Sequence, residues 1–239
     1  MILIIPDVHG RTFWSLPCKN LIKDVDKVIF LGDYVDPYPD ESTPTKTITQ
    51  LKRIIEFRDK HPDKVILLLG NHDYFYISDL YRKSFRHWSR HDYEHDKDIM
   101  KIFKDNIKKF QIAWQCNNKK YGKVLFTHAG INKNFEEICG LDADEINEFF
   151  LNGKSETGIP NVMELTTVSW YRGGDETYGS PIWADVREHL NNPVTKCFQI
   201  FGHTYCTKII SNEHFAMLDV GKSAFILNEN GITPYDEVY

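Results

Sequence analysis

Short apolar runs in this chain keep stopping on the same kinds of residue. The run at 2–5 leads into Asp7 and His9, and the run at 28–31 into Gly32-Asp33-Tyr34-Val35-Asp36. The run at 65–69 leads into Gly70-Asn71-His72-Asp73, and the run at 124–126 into Thr127-His128-Ala129-Gly130. A fifth run, ending at Phe201, leads into Gly202-His203-Thr204. Continuous apolar runs this short suit strands buried on both faces. Helical spacings lie between them. Ile48, Leu51, Ile54 and Ile55 follow Pro44, and Ile99, Ile102, Phe103, Ile107, Phe110 and Trp114 repeat at intervals of three and four. Asp142 and Glu145, ahead of Ile146, Phe149 and Phe150, form a capping-box pattern. Strands alternating with helices predict an α/β fold of βαβ units with a mainly parallel sheet. From Cys197 onward, β-like runs and the Asn230-Gly231 hairpin signal predict a closing meander. One domain over residues 1–239 is expected, with a helical or loop elaboration around residues 74–98.

In an open α/β sheet, ligands bind beyond the carboxyl ends of the strands. Asp7 and His9 stand two apart, so at a strand end they share a face and can reach one ion. Neighbouring glycines let the backbone turn sharply there. Oxygen and nitrogen donors without thiolates suit Mn, Fe or Zn rather than a cysteine-bound structural zinc. Asp7, His9, Asp33, Asn71, His128 and His203 are six candidate ligands. One ion would leave no room for chemistry among so many; two ions sharing a bridging carboxylate would. Singly, each residue reads as a turn former or a satisfied histidine. Recurrence at every strand end is the context that makes them a site.

Composition narrows the partners. The chain has 239 residues and a net charge of -5, which disfavours nucleic acid and anionic membranes. Cys18, Cys116, Cys139, Cys197 and Cys206 are scattered and odd in number. They predict reduced thiols and a cytoplasmic setting. There is no signal-peptide pattern and no apolar stretch of about 18 residues, so no membrane segment is expected.

The five motifs, together with Leu218-Asp219-Val220-Gly221, resemble the ordered signature of calcineurin-like metallophosphoesterases over about residues 2–221. Asp7-Val8-His9-Gly10 and Gly32-Asp33-Tyr34-Val35-Asp36 are similar to the protein serine/threonine phosphatase branch. The resemblance implies a four-layer α/β/β/α sandwich of two mixed sheets with a dinuclear site at the strand ends. Asp7 and His9 would hold the first ion, Asp33 would bridge, and Asn71, His128 and His203 would hold the second. His72 would act as general acid at the leaving-group oxygen, with Asp36 holding its other nitrogen. The implied cofactors are two divalent ions, Mn first, with Fe, Zn, Ni or Co as alternatives. Two such ions, roughly 3.5–4 Å apart, clamp a phosphate and acidify a shared water. The implied activity is hydrolysis of phosphomonoesters by a metal-bridging hydroxide. A phosphoserine or phosphothreonine protein is the first substrate, and a small-molecule phosphate is the wider class. The alternatives are a nucleotide or dinucleoside polyphosphate hydrolase and, outside enzymes, a metal-stabilised binding module. A non-ligand acid pair, His72 with Asp36, has no use in a binding module.

The phosphatase branch usually continues its second motif with Arg-Gly, where this chain has Pro37 and Tyr38. Arg11, Arg172 and Arg187 are the candidate phosphate-binding replacements. Arg187 closes Ile182-Trp183-Ala184-Asp185-Val186-Arg187, which is similar to the family's Leu-Trp-Ser-Asp segment. Tyr205 replaces the second histidine of the phosphodiesterase branch's Gly-His-x-His, which favours the phosphatase branch. His87, His91 and His95 recur every four residues among Arg86, Arg90, Asp92 and Glu94. That mixture reads as a solvated helix or a cap that contributes to substrate selection, in preference to a metal site. Tyr74, Phe75 and Tyr76 read as core packing under such a cap.

Overall fold

Burial on both faces explains why the apolar runs become strands. All four residues of β1 (Ile2–Ile5) are buried. After α1 (Ser15–Leu21), β2 (Lys27–Phe30) buries Val28, Ile29 and Phe30 completely. The next helix, α2 (Pro44–Lys60), starts where the proline places it, with Thr43 as N-cap accepting from the Lys46 N–H. It turns Leu51, Ile54 and Ile55 inward. Next come β3 (Val65–Leu68), α3 (Asn71–Ile77), α4 (Asp79–Ser84), α5 (Asp96–Asn106) and β4 (Phe110–Gln111). The chain continues through β5 (Trp114–Asn118), β6 (Gly122–Phe126), α6 (Lys133–Cys139), α7 (Ala143–Asn147), α8 (Val162–Leu165) and α9 (Val186–Asn191). It closes with β7 (Phe198–Phe201), β8 (Ile210–Ser211), β9 (Phe215–Met217), β10 (Phe225–Asn228) and β11 (Gly231–Pro234). This computed structural model describes residues 1–84, 90, 94–152 and 162–235.

Contacts divide the chain into two units, Met1–Phe110 with Lys222–Tyr239, and Gln111–Gly221. The first carries a six-stranded sheet of order β11-β10-β1-β2-β3-β4. Its β1, β2 and β3 run parallel, joined by the helical crossovers that the alternation predicts, while β10 is antiparallel to β1. The second carries a five-stranded sheet of order β5-β6-β7-β9-β8. In it β6, β7 and β9 are parallel, and β5 and β8 close the edges antiparallel. The α/β class with two mixed sheets is therefore present. No helix among the described residues is long and apolar enough to cross a membrane.

Two local expectations change. The residues after 197 do not form one meander. Strand β7 sits between β6 and β9, while β10 and β11 form a hairpin on the other sheet, against β1. The turn of that hairpin is Glu229-Asn230, and Gly231 is the first residue of β11, at φ 122°. The three-four periodicity after Ile99 also overruns its helix. Helix α5 ends at Asn106, and the chain passes into β4 at buried Phe110, whose ring packs on Phe103 and Tyr34 at 5.4 and 5.6 Å. Trp114 opens β5 and packs on Phe126 at 5.4 Å. Aromatic burial in each sheet outweighed continuation of the helix. Asp142 does cap α7, accepting from the Asp144 and Glu145 N–H groups, but the helix is short and passes into a π turn at Glu148–Asn152.

Candidate metal centre

The parallel order β1-β2-β3 brings three predicted motifs together at the carboxyl ends of adjacent strands. The first two loops are tied by backbone: His9 N–H donates to the Asp33 carbonyl at 2.7 Å and Gly10 N–H to that of Tyr34 at 2.9 Å. The second and third approach closely. A Cβ on Gly70 would lie 2.1 Å from Asp33 Oδ1, and one on Gly32 would lie 2.5 Å from the Gly70 nitrogen. Only glycine allows that approach.

Asp73 locks the pair of loops. Its Oδ2 accepts from the Asp33 and Gly70 N–H groups at 2.7 and 2.9 Å, and its Oδ1 accepts from Tyr34 N–H at 2.8 Å. It is fully buried. Burial first, and the Asp33 carboxylate second, push its pKa well above the usual 3.8, against the three bonds that favour its charged form. The sequence alone points to no role for Asp73. It stands at N3 of α3, where an acid accepting from the N-cap N–H is a common device, but nothing local indicates the bonds to Asp33 and Tyr34.

Asp7, His9 and Asp33 each offer one donor atom, and these atoms all lie within 4.8 Å of one another. All three residues are buried. His9 Nδ1 meets the Val35 carbonyl at 2.8 Å; a carbonyl only accepts, so Nδ1 carries the proton. Nε2, with its lone pair, then faces Asp33 Oδ2 at 3.5 Å. Burial lowers the His9 pKa to about 3 against the opposing pull of Asp33, so the imidazole is neutral. Two buried carboxylates facing a neutral nitrogen donor are a costly arrangement without a cation and a suitable one around a divalent ion. The backbone is held for it: His9, Asp33 and Asp36 have φ of 45°, 53° and 55°. Non-glycine residues there are strained by roughly 1–3 kcal/mol each, a cost that concentrates at functional sites.

Asn71 and His72 are consecutive at the start of α3, both buried. One helical step turns successive side chains by about 100°, so the two point in different directions. His72 N–H donates to Asp33 Oδ1 at 3.0 Å, and its ring Nδ1 meets Asp36 Oδ2 at 2.8 Å. That bond orients Nε2 away from the carboxylate. Tyr76, one turn further along α3, donates its hydroxyl to Asp36 Oδ1 at 2.5 Å. The sequence places Tyr76 in the core. It is buried there, but it also completes a Tyr76–Asp36–His72 chain.

The second unit holds the other two predicted histidines. His128 and His203 each lie two residues beyond their strand, β6 and β7, which are parallel neighbours. His128 Nε2 stands 3.1 Å from His203 Nδ1. His203 has φ 69°, and Gly202 N–H donates to the His128 carbonyl at 2.8 Å. Behind this loop, His189 is buried against Phe201 and meets the Ala129 carbonyl through Nε2 at 2.9 Å. Burial lowers its pKa to about 4, so it too is neutral. It was not singled out from the sequence, where a lone histidine in a helix carries no signal.

The three predicted arginines are placed as follows. Arg11 is buried and donates to the Val8 and Asp7 carbonyls at 3.0 and 2.8 Å, within its own loop. Arg187 donates to Asp185 Oδ1 at 2.7 Å and stacks on Tyr171. Arg172 Nε lies 2.9 Å from Asp185 Oδ2, and its Nη2 donates to Thr204 Oγ1 at 2.5 Å. Burial would raise the Asp185 pKa, but these two arginines hold it below the usual range. His87 and His91 lie outside the described residues, whereas His95 precedes α5 as its N-cap.

The strand-end carboxylates and imidazoles of each sheet are donor types that suit divalent ions. Residues 1–206 match the family model described as calcineurin-like phosphoesterase, and the chain belongs to that family. The family generally uses two divalent metals, and the Asp7–His9–Asp33 cluster fits one of them. No curated protein matches the chain. Among solved structures, a cold-active protein-tyrosine phosphatase from a psychrophilic Shewanella species is similar with a TM-score of 0.56 and 13% identity. That alignment covers 98% of this chain and 80% of the other, and it shows a shared fold. A metallophosphoesterase from Sphaerobacter thermophilus aligns with a TM-score of 0.29 and 20% identity, over 54% of this chain and 46% of the other.

Proposed function

We propose that this protein hydrolyses phosphomonoesters of alkyl alcohols, with protein phosphoserine or phosphothreonine as the substrate. The supporting observation is the His72–Asp36 pair, held at 2.8 Å beside the Asp7–His9–Asp33 cluster and braced by Tyr76. An alkoxide is a poor leaving group and needs a proton as the P–O bond breaks. A phosphoanhydride releases a better leaving group and gains less from such a donor. A histidine with one nitrogen anchored on a carboxylate and the other left for the substrate is placed to act as a general acid, a role that typically contributes about 10²–10⁴-fold. The resemblance of Asp7-Val8-His9-Gly10 and Gly32-Asp33-Tyr34-Val35-Asp36 to the serine/threonine branch supports the same substrate.

Family membership supports a pair of ions, with Mn as first choice. In this reading Asp7 and His9 would hold the first, Asp33 would serve both, and Asn71, His128 and His203 would hold the second. The ions supply charge for the phosphoryl oxygens and acidify water. Asp73 and the loop hydrogen bonds keep Asp33 in place, Asp36 and Tyr76 keep His72 oriented, and His72 Nε2–H gives its proton to the leaving oxygen.

Chelator-stripped protein reloaded with Mn should hydrolyse para-nitrophenyl phosphate and a phosphothreonine peptide. A phosphotyrosine peptide and a dinucleoside tetraphosphate complete the panel. Turnover of the dinucleotide alone would replace this proposal with the polyphosphate-hydrolase reading, and no turnover with metals bound would favour a binding module.

A further inference from the structure

We infer that Arg90 is a substrate-binding residue of this site, contacting the phosphate dianion in place of an arginine next to Asp36. The inference rests on the phosphomonoesterase reading above. The loop after Asp36 continues with Pro37 and Tyr38 and brings no cation of its own. Arg90 comes to it from 54 residues away in sequence. Its Nε and Nη2 donate to the Asp36 carbonyl at 3.3 and 3.1 Å. Its guanidinium carbon lies 4.0 Å over the centre of the Tyr38 ring. Nη2 also comes within 3.5 Å of His9 Nδ1, the protonated nitrogen of a metal-ligand candidate, so that approach is a contact between two donors.

Carbonyl oxygen and aromatic ring thus fix the part-buried guanidinium beside the acid pair and the Asp7–His9–Asp33 cluster. Stacking over an aromatic plane suits arginine better than lysine. Arg11, Arg172 and Arg187 have carboxylates within ion-pair distance, at Glu41 and Asp185. The bonds that Arg90 makes among the described residues go to a neutral carbonyl instead. Its charge is therefore matched to an incoming anion. A phosphomonoester carries about −1.5 to −2 charge near pH 7, whereas a diester carries a single negative charge. A guanidinium at this edge of the site discriminates in favour of the monoester.

The test compares wild type, Arg90→Ala and Arg90→Lys in the Mn-loaded protein. The substrates are para-nitrophenyl phosphate and bis(para-nitrophenyl) phosphate. Inhibition by inorganic phosphate and metal content are measured alongside. Losing one charge-assisted contact should lower kcat/KM for the monoester and weaken phosphate inhibition by roughly 10–100-fold each in Arg90→Ala. The diester should lose roughly threefold or less, metal content should hold, and Lys should recover only part, because it lacks the planar fork. Equal losses on both esters, lost metal, or a monoester rate within twofold of wild type would overturn the inference. If wild type hydrolyses neither ester, the phosphomonoesterase reading fails. Calorimetric titration of inorganic phosphate into wild type and Arg90→Ala then decides for Arg90, and equal affinities would refute its role.

Discussion

Asp73→Asn replaces the carboxylate that three backbone N–H groups share by a side chain with a single acceptor. The asparagine oxygen can keep the two bonds now made by Oδ2, to Asp33 and Gly70. Its NH2 then faces the Tyr34 N–H, which at present donates to Oδ1 at 2.8 Å. One buried donor is left without an acceptor, which costs about 1–3 kcal/mol. The pH dependence follows from the direction of the Asp73 shift. Its folded pKa is raised above the usual 3.8, so the folded protein holds that proton longer than the unfolded chain does. The Asp73 contribution to stability is then fully present below the ordinary carboxylate range and is lost as pH rises toward the folded value. The variant has no such slope. In metal-free protein, urea unfolding near pH 4 should show the variant less stable by about 1–3 kcal/mol, and the gap should narrow as pH rises. Loosening the Asp33 loop should also weaken metal binding by roughly 10–100-fold, as expected when a group that orients a ligand is removed. A variant as stable as wild type near pH 4, or a gap that widens with pH in metal-free protein, would refute this account of Asp73.

Other substitutions test the rest of the scaffold. Gly130→Ala places a Cβ 2.5 Å from His189 Nε2 at a residue with φ +87°, so thermal unfolding should report a loss of about 1–3 kcal/mol. Glu188→Gln confronts the NH2 of glutamine with two of the present donors, Ser169 Oγ and Asp185 N–H on Oε1 or Asn132 Nδ2 and Gly179 N–H on Oε2. That variant should lose about 2–4 kcal/mol in denaturant unfolding. Tyr76→Phe removes the hydroxyl bound to Asp36 Oδ1, so kcat should fall by roughly 3–10-fold on an alkyl phosphate and less on para-nitrophenyl phosphate, whose leaving group needs little proton donation. Equal losses on the two substrates would mean that Tyr76 only packs.

Some of this protein follows from local pattern. Continuous apolar runs mark β1, β2, β3, β6 and β7, because burial on both faces demands them. A polar residue just past such a run is at a strand end, so Asp7, His9, Asp33, Asn71, His128 and His203 could be named as candidates from position and donor chemistry alone, whereas the role of His72 came from the family resemblance. The start of α2 at Pro44 and the Asp142 cap were legible for the same reason: each signal works within a turn of itself.

The remaining features depend on residues far apart in sequence, and only the tertiary structure could decide them. Asp73 meets Asp33 and Tyr34 across about forty positions because β2 and β3 are parallel neighbours, and Tyr76 meets Asp36 across the same crossover. His128 and His203 are 75 positions apart and become neighbours through the pairing of β6 with β7. The final hairpin joins the first sheet because β1 offers it an edge, which no spacing within residues 222–234 could announce. Arg90 reaches the Asp36 loop from a segment whose sequence reads only as a solvated cap. Periodicity and capping act over three or four residues and can be read directly from the chain. Which strand lies beside which is set by sheet topology, and that topology determines which donors and acceptors finally meet.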